Sequence, residues 1–462
     1  MGGLLTRIDD ALEGCEIASA SALALADLGP QAPLALVVGV RGGPNRLLLP
    51  CDGRLVAQPL TELCDPFGLA RAIAAADLDG DGIEEIWIAN GDPARPEAAR
   101  ADRLFDPSPG GFRDRLAEAP LGAGPGAPSS TALLALDRSG SGLHGFLLAA
   151  PGRPIRLIES GEAGEPVDRA AEAGLDELIE ARVIAQGPAP GSGLELFAGA
   201  GTGPSAWFAP AGPARFADRA ETLGLLVPDL GAVDAAFLDA DGTGAVGLFC
   251  LRRRGAHLLW VRDQAGLLHE VAPPGLARPS PATALLVADL DNDGFEEILI
   301  ANAAAPNRLL GFRERGWRPL DPGDAMEPAS QPTALAAADL DGCGRLELVI
   351  ARASGRGGGL ALYRVEENEH AWIRIAPRSP HGAPARGALV RLWAGGRQQW
   401  RIVGGSRGNG EPVAHFGLGA CERVERVDIR WPDGSVRRLV DLEARQTITV
   451  PHPRAAAAAP GR

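Results

Sequence analysis

Apolar residues along the first 365 positions fall in short runs of four to eight, each bounded by Gly, Pro, Asn or Asp. Such runs predict strands joined by tight turns. The pattern repeats. The stretch from Ala76 through Asp77-Leu78-Asp79-Gly80-Asp81-Gly82 to Asn90 aligns residue by residue with Ala288 to Asn302, and Asp339-Leu340-Asp341-Gly342-Cys343-Gly344 keeps the same frame. Weaker copies begin at Asp239 and Asp137, and Asp27 and Gly193 to Phe197 mark two more, giving about seven units at a period of about fifty residues. Within a unit the order is constant: the acidic loop, an apolar strand, a turn, a segment such as Asn45-Arg46-Leu47-Leu48, and a last strand such as Phe112-Arg113-Asp114. Four strands per unit describe the blades of a propeller, whereas a helical solenoid needs longer runs of 3.6-residue periodicity. Alanine-rich runs before each acidic loop, such as Ala72 to Ala76, read as tightly packed inner strands.

The last unit lacks a fourth strand, because the chain changes character near Glu366. Leu5 to Glu13 resembles the outer segments near Val167 and Phe216, so the N-terminal strand is expected to complete the final blade and close the ring. The expected fold class is all-β: a seven-bladed β-propeller over residues 1–365, a small β-sandwich over 366–453, and a frayed tail over 454–462. Apolar residues at 45% and charged ones at 23% are ordinary globular usage. No apolar run approaches the roughly 18 residues of a membrane span, and a net charge of -14 makes nucleic acid a poor partner. The chain has no Lys, which excludes Schiff-base chemistry and a Lys-dependent phosphate loop. Its six cysteines form no C-x-x-C pair and read as scattered buried thiols. The first ten residues lack a basic start followed by a long apolar core, which points to the cytoplasm.

Oxygen ligands at alternate positions of a tight loop suit a hard cation, with Gly at the sixth position for the sharp turn. The second unit offers Asp77, Asp79, Asp81, the carbonyl of Ile83, and Glu85 at position nine. The sixth offers Asp289, Asp291, Asp293, the carbonyl of Phe295, and Glu297. Calcium, in a structural role, is the expected cofactor. Cys343 replaces the third Asp of the last unit, so Asp339, Asp341 and Glu347 form a weakened site, while the loops at Asp137 and Asp239 read as empty turns.

Beyond Glu366, strands are expected at Ala371 to Ile375, Ala388 to Trp393 and Val424 to Trp431, with a turn at Pro432-Asp433-Gly434. The repeats resemble FG-GAP or VCBS repeats. The segment with Gly404-Gly405-Ser406, His415-Phe416-Gly417-Leu418-Gly419 and Trp431-Pro432-Asp433-Gly434 resembles the ASPIC/UnbV domain, and together they resemble the cartilage acidic protein family. The resemblance implies a seven-bladed propeller, calcium in the acidic loops, and extracellular recognition or adhesion, which makes a secreted or periplasmic location the alternative to the cytoplasm. Bacterial relatives of UnbV type are associated with enediyne biosynthesis. Among single residues, His415 is a candidate titrating or ligand-binding histidine, and Arg407 and Asn409 in the polar loop 406–411 are candidate anion or sugar contacts. The competing readings are a turn-bonding histidine and a flexible hairpin. Trp87, Trp207, Trp260 and Trp317 read as packing between blades. The function expected is recognition of a protein or glycan partner by a calcium-stabilised propeller; the alternative is a cyclase or lyase working in the channel.

Overall fold

The computed structural model describes residues 3–457 except 9–10, 14–15, 30–31, 60–62, 64, 92–99, 109–110, 119–129, 151, 192, 226 and 354–358. The fold is all-β. Among the described residues, seven sheets, antiparallel but for one short parallel pair, precede Glu366, and two more follow it. The innermost strands of the seven are Ala20–Ala26, Ala72–Ala76, Ala132–Leu136, Ala181–Pro188, Ala232–Asp239, Ala282–Ala288 and Pro332–Ala338. Each packs against the next, and the last packs against the first. Alanine is frequent in them because the strands converge on a narrow axis, where small side chains let backbones approach. Hydroxyls tie neighbours together: Ser21 donates to the Ala70 carbonyl at 2.7 Å, and Thr333 donates to Ala20 at 2.9 Å across the closure of the ring.

Closure uses the N-terminal segment, with one difference from expectation. Leu5–Arg7 pairs antiparallel with Gly359–Val365 and completes the last sheet, but Leu12–Glu13 pairs parallel with Arg54–Ala57 and makes the first sheet five-stranded. The segment therefore bridges two sheets instead of serving one. Trp87, Trp207 and Trp260 are buried, and Trp87 and Trp207 pack on Phe146 and Phe237 of the next sheet. Trp317 is half-buried, stacked edge-on against Phe312 of its own sheet and packed on a cluster shared by the fifth and sixth sheets. Cys250 is buried, but Cys51 and Cys343 are exposed, contrary to the buried-thiol reading, because both sit in turns; Cys15 and Cys64 lie outside the described residues.

After Glu366, a three-stranded sheet (Ala371–Pro377 between Ala414–Gly419 and Gln446–Val450) faces a four-stranded one ordered Arg397–Ile402, Leu389–Ala394, Arg423–Arg430, Val436–Glu443. Ile373, Ile375 and Phe416 of the first sheet share a core with Val390, Leu392, Val427 and Ile429 of the second. Pro453–Ala457 forms a helical turn where the start of a frayed tail was expected; residues 458–462 lie outside the described residues.

Candidate metal centres

Each acidic loop joins the end of an inner strand to the second strand of its sheet. In the second unit the first Asp shapes the turn: Gly80 N and Gly82 N donate to Asp77, while Leu78 N donates to Glu85 at 2.6 Å. Oxygens of Asp77, Asp79 and Glu85 lie within 4.8 Å of one another, and so do those of Asp289, Asp291 and Glu297. Two aspartates and a glutamate thus converge as expected. The third Asp does not join them. Asp81 and Asp293 accept from Ile83 N and Phe295 N, each at 2.8 Å, which closes the turn from outside. Through those amides the peptides of Ile83 and Phe295 belong to the turn. In the last unit Asp339 and Asp341 gather with Cys343, and Glu347 accepts from Leu340 N. Partial desolvation and the neighbouring Asp341 carboxylate push the Cys343 thiol up to about 11, and sulfur is a softer donor than the aspartate oxygen it replaces.

The convergence is electrostatically costly. Burial, reinforced by Asp79 and Asp77, pushes Glu85 up to about 9; burial likewise raises Asp289 to about 8 and Glu297 well above the carboxylate range. Asp289 Oδ1, Asp339 Oδ1 and Glu347 Oε1 are buried without a hydrogen-bond partner. Crowded hard oxygens without a donor fit a metal cation, which would supply the missing positive charge. Arginines meet part of that need. Arg313 contacts Asp291 at 2.6 Å, Glu297 at 2.9 Å and Asp293 at 3.0 Å, and Arg115 lies 3.1 Å from Asp79.

A second acidic position stands beside two of these loops, outside the alternating Asp pattern. Glu84 and Glu296, each one residue before the loop-facing Glu, point the other way because side chains alternate along a strand. Glu84 accepts from Asp27 N and Glu296 from Asp239 N, so each braces the loop of the preceding unit. Their charges meet arginines of the C-terminal sheets: Arg386 grips Glu84 in a fully buried pair at 2.5 Å, and Arg401 lies 3.5 Å from Glu296. Arg374 pairs with Asp339 at 2.9 Å and Arg378 with Asp27 at 2.5 Å. The Glu-Glu dipeptide was the available signal, since period two puts its members on opposite faces. The C-terminal sheets also rest on the sixth-position glycines. A Cβ on Gly344 would stand 1.7 Å from the Trp372 ring, and one on Gly82 would stand 2.8 Å from the His381 carbonyl.

The three candidate ligand residues point into the protein. Arg407 pairs with buried Asp234 at 2.7 Å and donates to Leu285 O, and Asn409 donates to Leu23 O. The loop 404–411 is thus seated in the channel, which corrects the reading of residues 406–411 as a flexible hairpin. His415 is buried, and its Nε2 contacts Asn292 Oδ1 at 2.7 Å. Burial and the Arg374 and Arg401 charges hold it far below the ordinary histidine range, so it stays neutral.

Residues 378–457 match the family model described as ASPIC and UnbV. The chain is 31% identical to human cartilage acidic protein 1 over 478 residues, covering 94% of this chain and 72% of that protein. It is 30% identical to the Xenopus tropicalis protein of the same name over 475 residues, covering 93% and 73%. Among solved structures, a Burkholderia pseudomallei lectin aligns with a TM-score of 0.49 at 14% identity, covering 76% of this chain and 96% of that one. BBS1N, crystallised in complex with ARL6DN, aligns with a TM-score of 0.48 at 11% identity, covering 80% and 99%.

Proposed function

The chain belongs to the cartilage acidic protein family, and from that premise we propose that it is a calcium-stabilised propeller that recognises a protein or glycan partner. The observation that supports calcium is the pair of carboxylate triads, with Asp289 Oδ1 buried and unpartnered in one of them. A cation there would replace repulsion with coordination and fix the loop between the first two strands of its sheet.

The acidic loops touch the C-terminal segment through Arg374, Arg378, Arg386 and Arg401, which supports a bracing role for them, while Asp79, Asp81 and Asp341 stay exposed. The other end of the ring offers a cavity as one candidate contact surface. There the inner strands begin, and Ser21, Arg71, Thr131, Arg182, Val233 and Thr283 gather around a cavity of about 100 Å³ floored by Arg407 and Asn409. The competing reading, a channel cyclase or lyase, would draw on Asp234 and Arg407, but these hold each other and fix the loop.

Thermal unfolding in calcium, magnesium and chelator, for the native chain and for Asp79→Ala and Asp291→Ala, tests the proposal. A calcium-specific rise in Tm that each substitution reduces is expected; at a hundredfold excess over Kd, one site contributes about 2.7 kcal/mol. Superimposed curves in calcium and chelator would overturn it.

A further inference from the structure

Although the chain carries a net charge of -14, residues 366–453 hold 13 arginines against 10 acidic residues. Some of these arginines clamp the acidic loops, and others stand on the outer face of the four-stranded sheet. Its core face carries Val390, Leu392, Val427 and Ile429, so the alternate residues point outward. The pairing register sets them in three rows: Trp393 beside Arg426 beside Val440, Arg391 beside Asp428 beside Arg438, and Leu389 beside Arg430 beside Val436. Leu389 packs on the propeller with Trp400 and Ile402, and the rows run outward from there to Val436–Glu443, the edge strand of the sheet.

Arg438, Arg426 and Arg391 thus act on one carboxylate, Asp428, and Arg430 stands beside Arg391. Arg438 takes Asp428 in two bonds of 2.7 and 3.0 Å, and Arg426 lies 3.6 Å from it and over the Trp393 ring at 3.6 Å. Arg391 and Arg430 crowd each other, and that repulsion adds to burial in lowering Arg391 from the ordinary arginine range. At the edge, Val436 and Val440 are 50% and 60% exposed, with Arg438 between them. No strand pairs with the far side of Val436–Glu443 among the described residues.

We infer that the strand Val436–Glu443 is a docking edge for an extended acidic segment of a protein partner, which adds as a further strand and sets an acidic side chain beside Arg438, flanked by apolar ones beside Val436 and Val440. Main-chain pairing supplies the affinity in this mode, and alternate side chains supply the choice of partner. A sulfated polysaccharide would satisfy the arginines and leave both valines in water. A second copy of the chain would oppose arginine to arginine. Charge ordinarily protects an edge, and here the pairing with Arg423–Arg430 keeps one register throughout, so charge is what protects Val436 to Val440. That protection is of one sign, so it repels basic strands and admits acidic ones.

The inference rests on the reading of the chain as an interaction protein, and its test is independent of calcium. The probe is a fluorescent peptide, Thr-Val-Thr-Glu-Thr-Val-Thr, titrated by anisotropy against the full chain in chelator and in calcium, with a version carrying Lys for Glu as control. Saturable binding of the Glu peptide, at least tenfold weaker in Arg438→Glu and inverted there in favour of the Lys peptide, is expected. Amide exchange is expected to slow within 436–443 on binding. Arg169→Glu, an exposed substitution on the propeller, should leave affinity unchanged. Failure to bind, indifference to Arg438→Glu, or saturable binding of dextran sulfate with none of the peptide would each overturn the inference. Loss of calcium stabilisation with peptide binding intact would count against the metal reading alone.

Discussion

Glu84 and Glu85 are adjacent and do opposite work, because a strand sends them to opposite faces: one closes its own loop, the other braces the loop before it and receives Arg386. Histidine 257 shows the same dependence on surroundings. His257 is fully buried, with Nδ1 accepting from Arg252 N at 3.2 Å and Nε2 facing Ser280 Oγ at 3.1 Å. Burial, with Arg308 and Arg252 nearby, lowers it to about 4. A base depressed in the folded state binds its proton more readily when unfolded, so its contribution is present above about pH 6.5 and is lost as pH falls toward 4. The full span is about 3 kcal/mol. The stability difference between the native chain and His257→Gln, from urea unfolding at several pH values, should therefore shrink as pH falls through this window. A difference constant with pH would mean that the imidazole is not held neutral.

Among elements, the loop 404–411 departs most from its sequence reading. The innermost strand of each sheet has an edge facing the channel, and its backbone groups need partners. This loop supplies them: Leu25 N donates to Asn409 O, Gln186 N to Ser406 O, and Phe237 N to Ser406 Oγ. Glycines 404, 405, 408 and 410 keep the segment thin enough to enter a bore lined by alanines. In sequence, the same glycines and polar residues read as a flexible hairpin, because nothing local reveals a channel built from strands hundreds of residues away. The strands, the inner alanine runs and the acidic loops were legible, because each follows from local period and spacing. The arginine clamps were not, since their partners are set by the ring. Arg407→Ala leaves Asp234 buried and uncompensated, a loss of about 3–5 kcal/mol for a broken buried pair. Urea unfolding should show that drop in midpoint at unchanged slope, and adding Asp234→Asn should recover part of it. A cost below about 1 kcal/mol, the range of an exposed pair, would show that the loop is not anchored there.

For the whole molecule, a ring must be closed by something, and here two short strands of one segment close it. Leu5–Arg7 covers the edge of Gly359–Val365, and Leu12–Glu13 lies along the first sheet. Leu5 is buried with Tyr363 and Val365, while Ala11 is buried with Ile17 and Leu55, so the segment contributes to two cores as well as two ladders. Removing residues 1–8 therefore takes Leu5 out of the core and bares the sheet edge at Leu362 to Val365. An exposed apolar edge is a template for another chain, so two effects should appear together. The Tm should fall, and sedimentation should show association that grows with concentration. A synthetic peptide of residues 1–13 added in trans should reverse both, because it restores the ladder without covalent continuity. If the shortened chain remains monomeric with an unchanged Tm, the contacts between the first and last inner strands close the ring unaided, and the N-terminal strand is only an ornament on its rim.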